Sequence, residues 1–331
     1  MSVLVCGGAG YVGSHALRLL LSRGINCVVL DDLSTGHTWA VPECAKLYRV
    51  DMTSLSDVMG VFENESITSV LHFASKSIVS ESVQKPGYYY KTNLLAALNL
   101  IEAMGAAQVK ELIFSSSAAV FGNPLTDTID ESHPECPINP YGWSKYFIER
   151  ILADSSIAHG LNVVCLRYFN AAGADPSAEI GEAHANETHL IPRVLVGALE
   201  KADAAFALYG SDYPTADGTC IRDYVHVNDL ARAHLLALEF LGTNPGFHRF
   251  NLGSGRGYSV LEVLRACESV TGVEIPFAVH DRRAGDPARL VASSNKARDV
   301  LDWTIEYDDI EGIVETAWNW HRSYARRISP P

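Results

Sequence analysis

The sequence predicts an α/β protein: a doubly wound parallel sheet with a smaller C-terminal α/β domain. Three observations predict it. Short β-branched runs alternate with helical patterns through the first half of the chain, which is the βα rhythm of a parallel sheet. Those runs are nearly continuous in apolar residues rather than alternating, as strands covered on both faces require. A glycine-rich loop, "GGAGYVG", follows the first run directly and opens the first helical pattern.

In chain order the strand candidates are "SVLVC", "NCVVLDD", "KLYRVD", "TSVLHFA", "KELIFSSS" and "LNVVCLRYF", each bounded by turn residues. Helical patterns fill the gaps at residues 14–22, 55–63, 88–104 and 141–153. In the third of these, Leu94, Leu98 and Ile101 form one stripe, while Leu95, Ala97, Leu100 and Met104 surround it. A helix apolar on more than one side must be covered twice. The sheet supplies one cover; a second subunit or the neighbouring helix from Tyr141 supplies the other. After about residue 171 the rhythm breaks, and "GSDYPTADGTCIRDY" predicts a second lobe with long loops.

Composition excludes several function classes. The chain has 331 residues, of which 47% are hydrophobic and 20% charged, enough for a large core and a second lobe. A formal charge of -13 argues against nucleic acid as a partner, because phosphate-backbone binding needs clustered Lys and Arg. No apolar run reaches the roughly 18 residues of a membrane helix, and "MSVLVC" enters a strand with no basic stretch or cleavage site before it. A cytoplasmic location is expected. The seven scattered cysteines point to neither disulfides nor a metal knot, and the twelve histidines show no familiar ligand spacing, so no metal is expected.

The glycine loop has a steric logic. Gly7 permits the tight turn, Gly10 lets backbone approach a pyrophosphate, and Gly13 lets the helix lie against the strand with its N–H groups facing the phosphates. About twenty residues on, Asp31 ends the second strand candidate, where an acid meets the adenosine ribose. Asp31 and Asp32 would repel a 2'-phosphate and no arginine immediately follows, which favours NAD over NADP. Asp51, closing "YRVD", either meets the adenine edge or caps the next helix. This Rossmann-type half is expected to span 1–170 and the second lobe 171–331.

"NPYGWSK" holds the candidate chemistry. Asn139 can cap a helix and Pro140 suits its first position, which puts Tyr141 in the first turn and Lys145 one turn later on the same face. A tyrosine acting as a base near neutral pH must be lowered from about 10 to about 7, roughly 4 kcal/mol of differential stabilisation. The lysine cation, the positive end of the helix dipole and an oxidised nicotinamide could supply it together. Ser117, last of the hydroxyls in "SSS" at the fifth strand's end, could bond the same substrate oxygen or merely cap the turn.

The stretches "VCGGAGYVGSH", "HFAS", "SESVQKP", "FSSSAAVFG", "NPYGWSK", "LRYFNAAGADP", "ETHLIP", "YGSDYPTADGTCIRDYVHV" and "NLGSGRGYS" resemble the extended short-chain dehydrogenase/reductase superfamily and, within it, the NAD-dependent 4-epimerases of nucleotide sugars, from residue 2 to about 320. The resemblance implies a homodimer with tightly held NAD that interconverts UDP-glucose and UDP-galactose through a transient 4-keto sugar. It also implies that the second lobe, 171–331, binds the substrate and that part of the later chain returns to the first domain. It makes Ser117, Tyr141 and Lys145 catalytic. It makes Gly7, Gly10, Tyr11, Val12, Gly13, Asp31, Asp51, Met52, Phe73 and Asn93, with Tyr141, Lys145 and Tyr168, contacts of NAD. To the UDP-sugar it assigns Asn170, His189, Leu190, Tyr209, Arg222, Arg283 and Asp286 together with Ser117 and Tyr141.

Several positions depart from the family pattern. Ser77 stands where well-known members carry a lysine, with Lys76 one place earlier; His189 replaces an asparagine, and Ala119 a threonine. Leu290 falls where members carry a tyrosine or a smaller residue governing N-acetyl sugars. Ala118 and Ala119 replace the acids of related dehydratases, which disfavours water elimination. A 4-epimerase of UDP-glucuronate or UDP-xylose, and a non-catalytic NAD-sensing regulator of the same fold, remain the alternatives.

Overall fold

The computed structural model describes residues 2–200, 205–283 and 286–328. Its first half runs β1 (Ser2–Cys6), α1 (Tyr11–Ser22), β2 (Cys27–Asp31), β3 (Lys46–Arg49), α2 (Leu55–Asn64), β4 (Ile67–His72), α3 (Val79–Gln84), α4 (Pro86–Ala106), β5 (Glu111–Ser117), α5 (Pro140–His159) and β6 (Asn162–Tyr168). The second half continues with β7 (Asn170–Ala172), α6 (Leu190–Glu200), β8 (Phe206–Tyr209), β9 (Ile221–His226), α7 (Val227–Leu241), β10 (Phe247–Leu252), β11 (Gly257–Ser259), α8 (Val260–Thr271), β12 (Phe277–His280), β13 (Arg289–Leu290), α9 (Asn295–Leu301) and α10 (Ile310–Ile328).

Seven strands form one parallel sheet in the order β10-β6-β5-β4-β1-β2-β3. Strand order reverses beside β1, and the crevice at such a switch point is where open sheets bind ligands. Both faces are covered, which explains the continuous apolar runs. Val3 and Val5 point into one layer with Ala16, Leu17 and Leu20 of α1 and Leu230 and Ala237 of α7. Leu4 and Cys6 point into the other, against Val58 of α2, Leu100 of α4 and Ile148 of α5.

The later chain contributes to both lobes. Helix α7 packs on the first sheet and β10 forms its edge, while β9 gathers β7, β11 and β13 into a second sheet and β8 pairs with β12. The loop-rich reading of "GSDYPTADGTCIRDY" therefore needs one correction: its last residues, from Ile221, form strand β9. The segment reads as a loop because Arg222 and Asp223 interrupt any apolar run. Helix α4 buries Tyr89, Asn93, Ala96, Ala97, Leu100, Ala103 and Met104, and leaves Leu98 46% exposed. Within the chain α5 covers part of it, and Tyr90 meets Phe147 of α5 with ring centroids 6.2 Å apart. Among the described residues no helix is long and apolar enough to cross a membrane.

Candidate functional site

One cleft of about 1000 Å³ opens at the carboxyl ends of the parallel strands, and its walls include every residue proposed above as a site residue. At one end lies the glycine loop. Gly7 adopts φ +77°, a left-handed conformation. A Cβ on Gly13 would sit 2.1 Å from the Gly7 carbonyl oxygen, so the helix can approach the loop only without a side chain there. Gly10 is the N-cap of α1 and makes no side-chain cap, leaving the first-turn N–H groups free for an anion. These features fit a dinucleotide. Gly13→Ala should force the loop and helix apart at an overpacking cost of about 1–3 kcal/mol, weakening NAD binding about tenfold to a hundredfold in a fluorescence titration.

Asp31 ends β2 as expected, and its carboxylate accepts N–H bonds from Ala9 (3.0 Å) and Leu33 (2.9 Å). Burial pushes its carboxyl up, and those two amides hold it back. Both oxygens keep a lone pair for hydroxyls. Lys76 reaches across this end, its ammonium donating to Ser34 Oγ at 2.7 Å. Asn93 holds the Lys76 backbone from both sides, accepting from its N–H and donating to its carbonyl, and it also donates to Ser144 Oγ. Asp51 lies two residues past β3 and bonds the Thr53 N–H and hydroxyl, whereas the N-cap of α2 is Ser54, so the helix-capping alternative for Asp51 is not what the chain does. Met52 is buried, and its carbonyl accepts from Asn99.

Tyr141 and Lys145 sit mid-cleft. Asn139 Oδ1 accepts from the Gly142 N–H at 2.8 Å and Pro140 opens α5, so the local chain places the pair as its sequence requires. Lys145 is 2% exposed and donates to the Ser115 carbonyl at 2.8 Å; its Nζ lies 5.9 Å from the Tyr141 ring centroid. The chain's own groups set the protonation of the pair. Burial pushes the Tyr141 phenol up, and only the Ser117 hydroxyl pulls it down. Burial also pulls Lys145 down to about 7, with Glu149 one turn further along α5 opposing that shift. The chain's own groups thus leave Tyr141 a phenol at neutral pH, because desolvation outweighs the Ser117 hydrogen bond. Ser117 Oγ accepts from the Ala119 N–H at 3.1 Å, so it caps the turn while facing Tyr141.

Phe73 and Tyr168 share a neighbour that sequence reasoning missed. His234 of α7 packs on Phe73 at 4.5 Å between ring centroids, lies 6.2 Å from Tyr168, and meets Ser115 Oγ at 3.1 Å. Burial pulls its imidazole down to about 4, so it is neutral. Nothing local marks it, since the later chain brings α7 under the sheet.

At the far end Arg222 pairs with Asp286 (3.4 Å) and donates to the Pro287 carbonyl (2.8 Å). The adjacent Asp223 faces away from this pair and accepts from Ser254, Gly255 and Ala292. The Arg283 guanidinium lies over the Tyr209 ring at 4.1 Å, so one face of that ring is occupied by a cation. Asn170 begins β7, and Leu190 begins α6.

His189, just before α6, turns its Nδ1 to Glu182 (2.7 Å) and Glu187 (2.8 Å). His184 joins the same carboxylates. Burial pulls both imidazoles down, but the two acids outweigh it and hold His184 at about 9 and His189 at about 10. This cluster escaped the sequence reading because its spacing matches no familiar motif.

Comparison with known proteins agrees with this geometry. Residues 3–253 match the NAD dependent epimerase/dehydratase family. The chain is similar to a UDP-glucose 4-epimerase of Lacticaseibacillus casei, 48% identical over 324 residues and 98% of each chain. It also resembles the crystal structure of UDP-glucose 4-epimerase from Brucella ovis in complex with NAD, with a TM-score of 0.92 at 44% identity over 96% of this chain and 97% of that one. The structure from Bifidobacterium longum in complex with NAD+ and UDP matches with a TM-score of 0.93 at 37% identity over 98% and 99%. The chain belongs to the NAD dependent epimerase/dehydratase family.

Proposed function

We propose that the protein is an NAD-dependent UDP-glucose 4-epimerase that interconverts UDP-glucose and UDP-galactose. The observation that carries this reading is the single continuous cleft, which joins the glycine loop to Arg222 and Arg283 with Tyr141 between them. Ala118 and Ala119 line it at the positions where related dehydratases carry acids, which disfavours water elimination.

Gly7, Gly10, Tyr11, Val12, Gly13, Asp31, Asp51, Met52, Phe73, Asn93 and Tyr168 would hold the cofactor within the 1–170 domain. When bound, NAD takes a hydride from the sugar's C4 and returns it. Tyr141 removes the C4 hydroxyl proton as hydride departs and restores it when hydride returns to the opposite face of the 4-keto sugar. Ser117 hydrogen-bonds the same oxygen. Arg222 and Arg283 neutralise the diphosphate, Tyr209 flanks uracil, and Asp286 accepts from ribose hydroxyls. Asn170, His189 and Leu190 complete the sugar-nucleotide wall in the 171–331 domain.

Because burial keeps Tyr141 protonated, the positive charge around it decides whether it is a base. Lys145→Met removes the nearest protein cation. It should move the acid limb of the kcat/KM pH profile up by about one to two pH units, since losing a positive neighbour raises a phenol. A pH-rate profile of the variant checks this.

A homodimer is supported by the apolar residues that α4 and α5 leave outward, Leu98 at 46% and Phe147 at 40% exposure. The seven cysteines are free thiols, which supports the cytosol as location. The function is tested by supplying purified protein with UDP-galactose, UDP-N-acetylgalactosamine and UDP-glucuronate separately. UDP-glucose from the first is the expected product; its absence rejects the reading, and turnover of the second broadens it.

A further inference from the structure

Four donors from a single short segment meet at the rim of the cleft. Nδ1 of His184 lies 3.1 Å from Glu182 and 3.3 Å from Glu187; Nδ1 of His189 lies 2.7 and 2.8 Å from the same two carboxylates. The four ligand atoms all fall within 4.8 Å of one another, nitrogen alternating with oxygen around the group. Tetrahedral coordination with bonds of about 2.0–2.1 Å places donors about 3.3–3.4 Å apart. The four nitrogen–oxygen spacings lie at or somewhat below that edge length, within reach of small shifts of the side chains.

The donors are also held in place. Glu187 Oε1 accepts the N–H groups of Thr188 (2.7 Å) and His189 (2.8 Å), which fixes the direction of its carboxylate. The Glu182 carbonyl accepts from Trp320 Nε1 of α10 at 2.8 Å, and the Ala183 carbonyl meets His37 Nε2 at 2.7 Å. Glu182 is 5% exposed, a depth at which a carboxylate needs a cation or equivalent partners. His184 and His189 are the cationic partners it has; among the described residues the other titratable neighbours add none. Burial and the two acids keep the Tyr11 phenol of α1 protonated, and burial keeps the His321 imidazole of α10 neutral. The Arg193 guanidinium of α6 lies over Phe206 instead.

We propose that Glu182, His184, Glu187 and His189 bind one divalent transition-metal ion of the zinc class, as a closed structural site at the mouth of the cleft. Two imidazoles with two carboxylates suit such an ion, whereas an all-oxygen set would suit calcium or magnesium. The charge balance is an exchange. With both imidazoles protonated the two acids are neutralised; the ion displaces those two protons to solvent, and its two charges replace theirs. Ligation through Nδ1 fixes the His189 tautomer and leaves its Nε2–H as a donor toward the cleft. The site would clamp residues 182–189 and the start of α6 beside Tyr11.

The test uses purified full-length protein stripped with EDTA and titrated with zinc chloride by calorimetry. One ion per chain is expected, with affinity rising at least about tenfold per pH unit between about pH 6 and pH 8 and with proton release measured from buffer ionisation enthalpies. His184→Asn should weaken binding by at least about 100-fold. If that variant does not fold, Glu187→Gln takes its place, since its carboxamide keeps the shape and loses the charge. The exposed thiols Cys44 and Cys136 are unchanged in both variants, so zinc held by them would survive the substitution. No saturable binding to the wild-type chain at about pH 8, or binding of equal strength in the variants, overturns the proposal. The readout is ion binding, so failure here is separate from failure of the epimerase reading.

Discussion

Tyr141→Phe is expected to retain NAD and to lose about 10²- to 10⁴-fold in turnover of UDP-galactose, some 3–5 kcal/mol of barrier. The substitution deletes one oxygen and leaves the ring, which stands against the cleft wall with Lys145 Nζ 5.9 Å from its centroid. The cofactor contacts proposed for the glycine loop and Asp31 are untouched, so bound nucleotide should remain. The loss should fall on kcat rather than KM, because the phenol's proton transfer belongs to the transition state. Ser117 cannot replace it. Its hydroxyl already accepts from Ala119, and with no second base beside it a serine stays protonated at neutral pH. A steady-state assay with coupled detection of UDP-glucose reads the result, and a variant with near wild-type kcat would remove Tyr141 from this role.

Arg167→Ala should destabilise the fold by about 3–5 kcal/mol, visible as a lower urea midpoint. Arg167 on β6 is 0% exposed; its Nε and Nη2 bond both oxygens of Glu149 on α5, and Nη2 also bonds Glu135 at 2.5 Å. Ser116 donates to Glu149 at 2.5 Å, and Arg249 pairs with Glu135. Removing the guanidinium leaves the Glu149 carboxylate buried, with the Ser116 hydroxyl as its remaining side-chain hydrogen-bond donor. That carboxylate also opposes the desolvation of Lys145, so the damage should reach the helix that carries Tyr141 and Lys145. Removing both charges of the pair with residues of similar volume should cost less than removing one. An unchanged midpoint for the single variant would contradict this picture.

The chemistry-bearing helix was legible because its signals are local. Asn139, Pro140, Tyr141 and Lys145 lie within seven positions, and capping with i, i+4 spacing fixes their relation whatever the rest of the chain does. Six parallel strands could be read for a similar reason, each being a continuous apolar run. The second lobe could not. Strand β13 has two residues and β12 four, all exposed or half-buried, and β12 finds its partner β8 some seventy residues away, so no pattern in either announces the pairing. His234 and the Glu182–His189 cluster depend on the same distant returns of the chain. Burial at the pair was not legible because spacing gives proximity and not depth, and burial decides the direction that the chain's own groups set for both Tyr141 and Lys145.

The central claim is that one hydride leaves C4 and comes back to it. UDP-galactose carrying deuterium at C4, incubated with the protein in ordinary water, tests it directly by mass spectrometry and NMR of the product. The prediction is UDP-glucose with deuterium still at C4. Washout of the label into solvent would mean that C4 loses a proton instead, and would contradict the assigned roles of Tyr141 and NAD together.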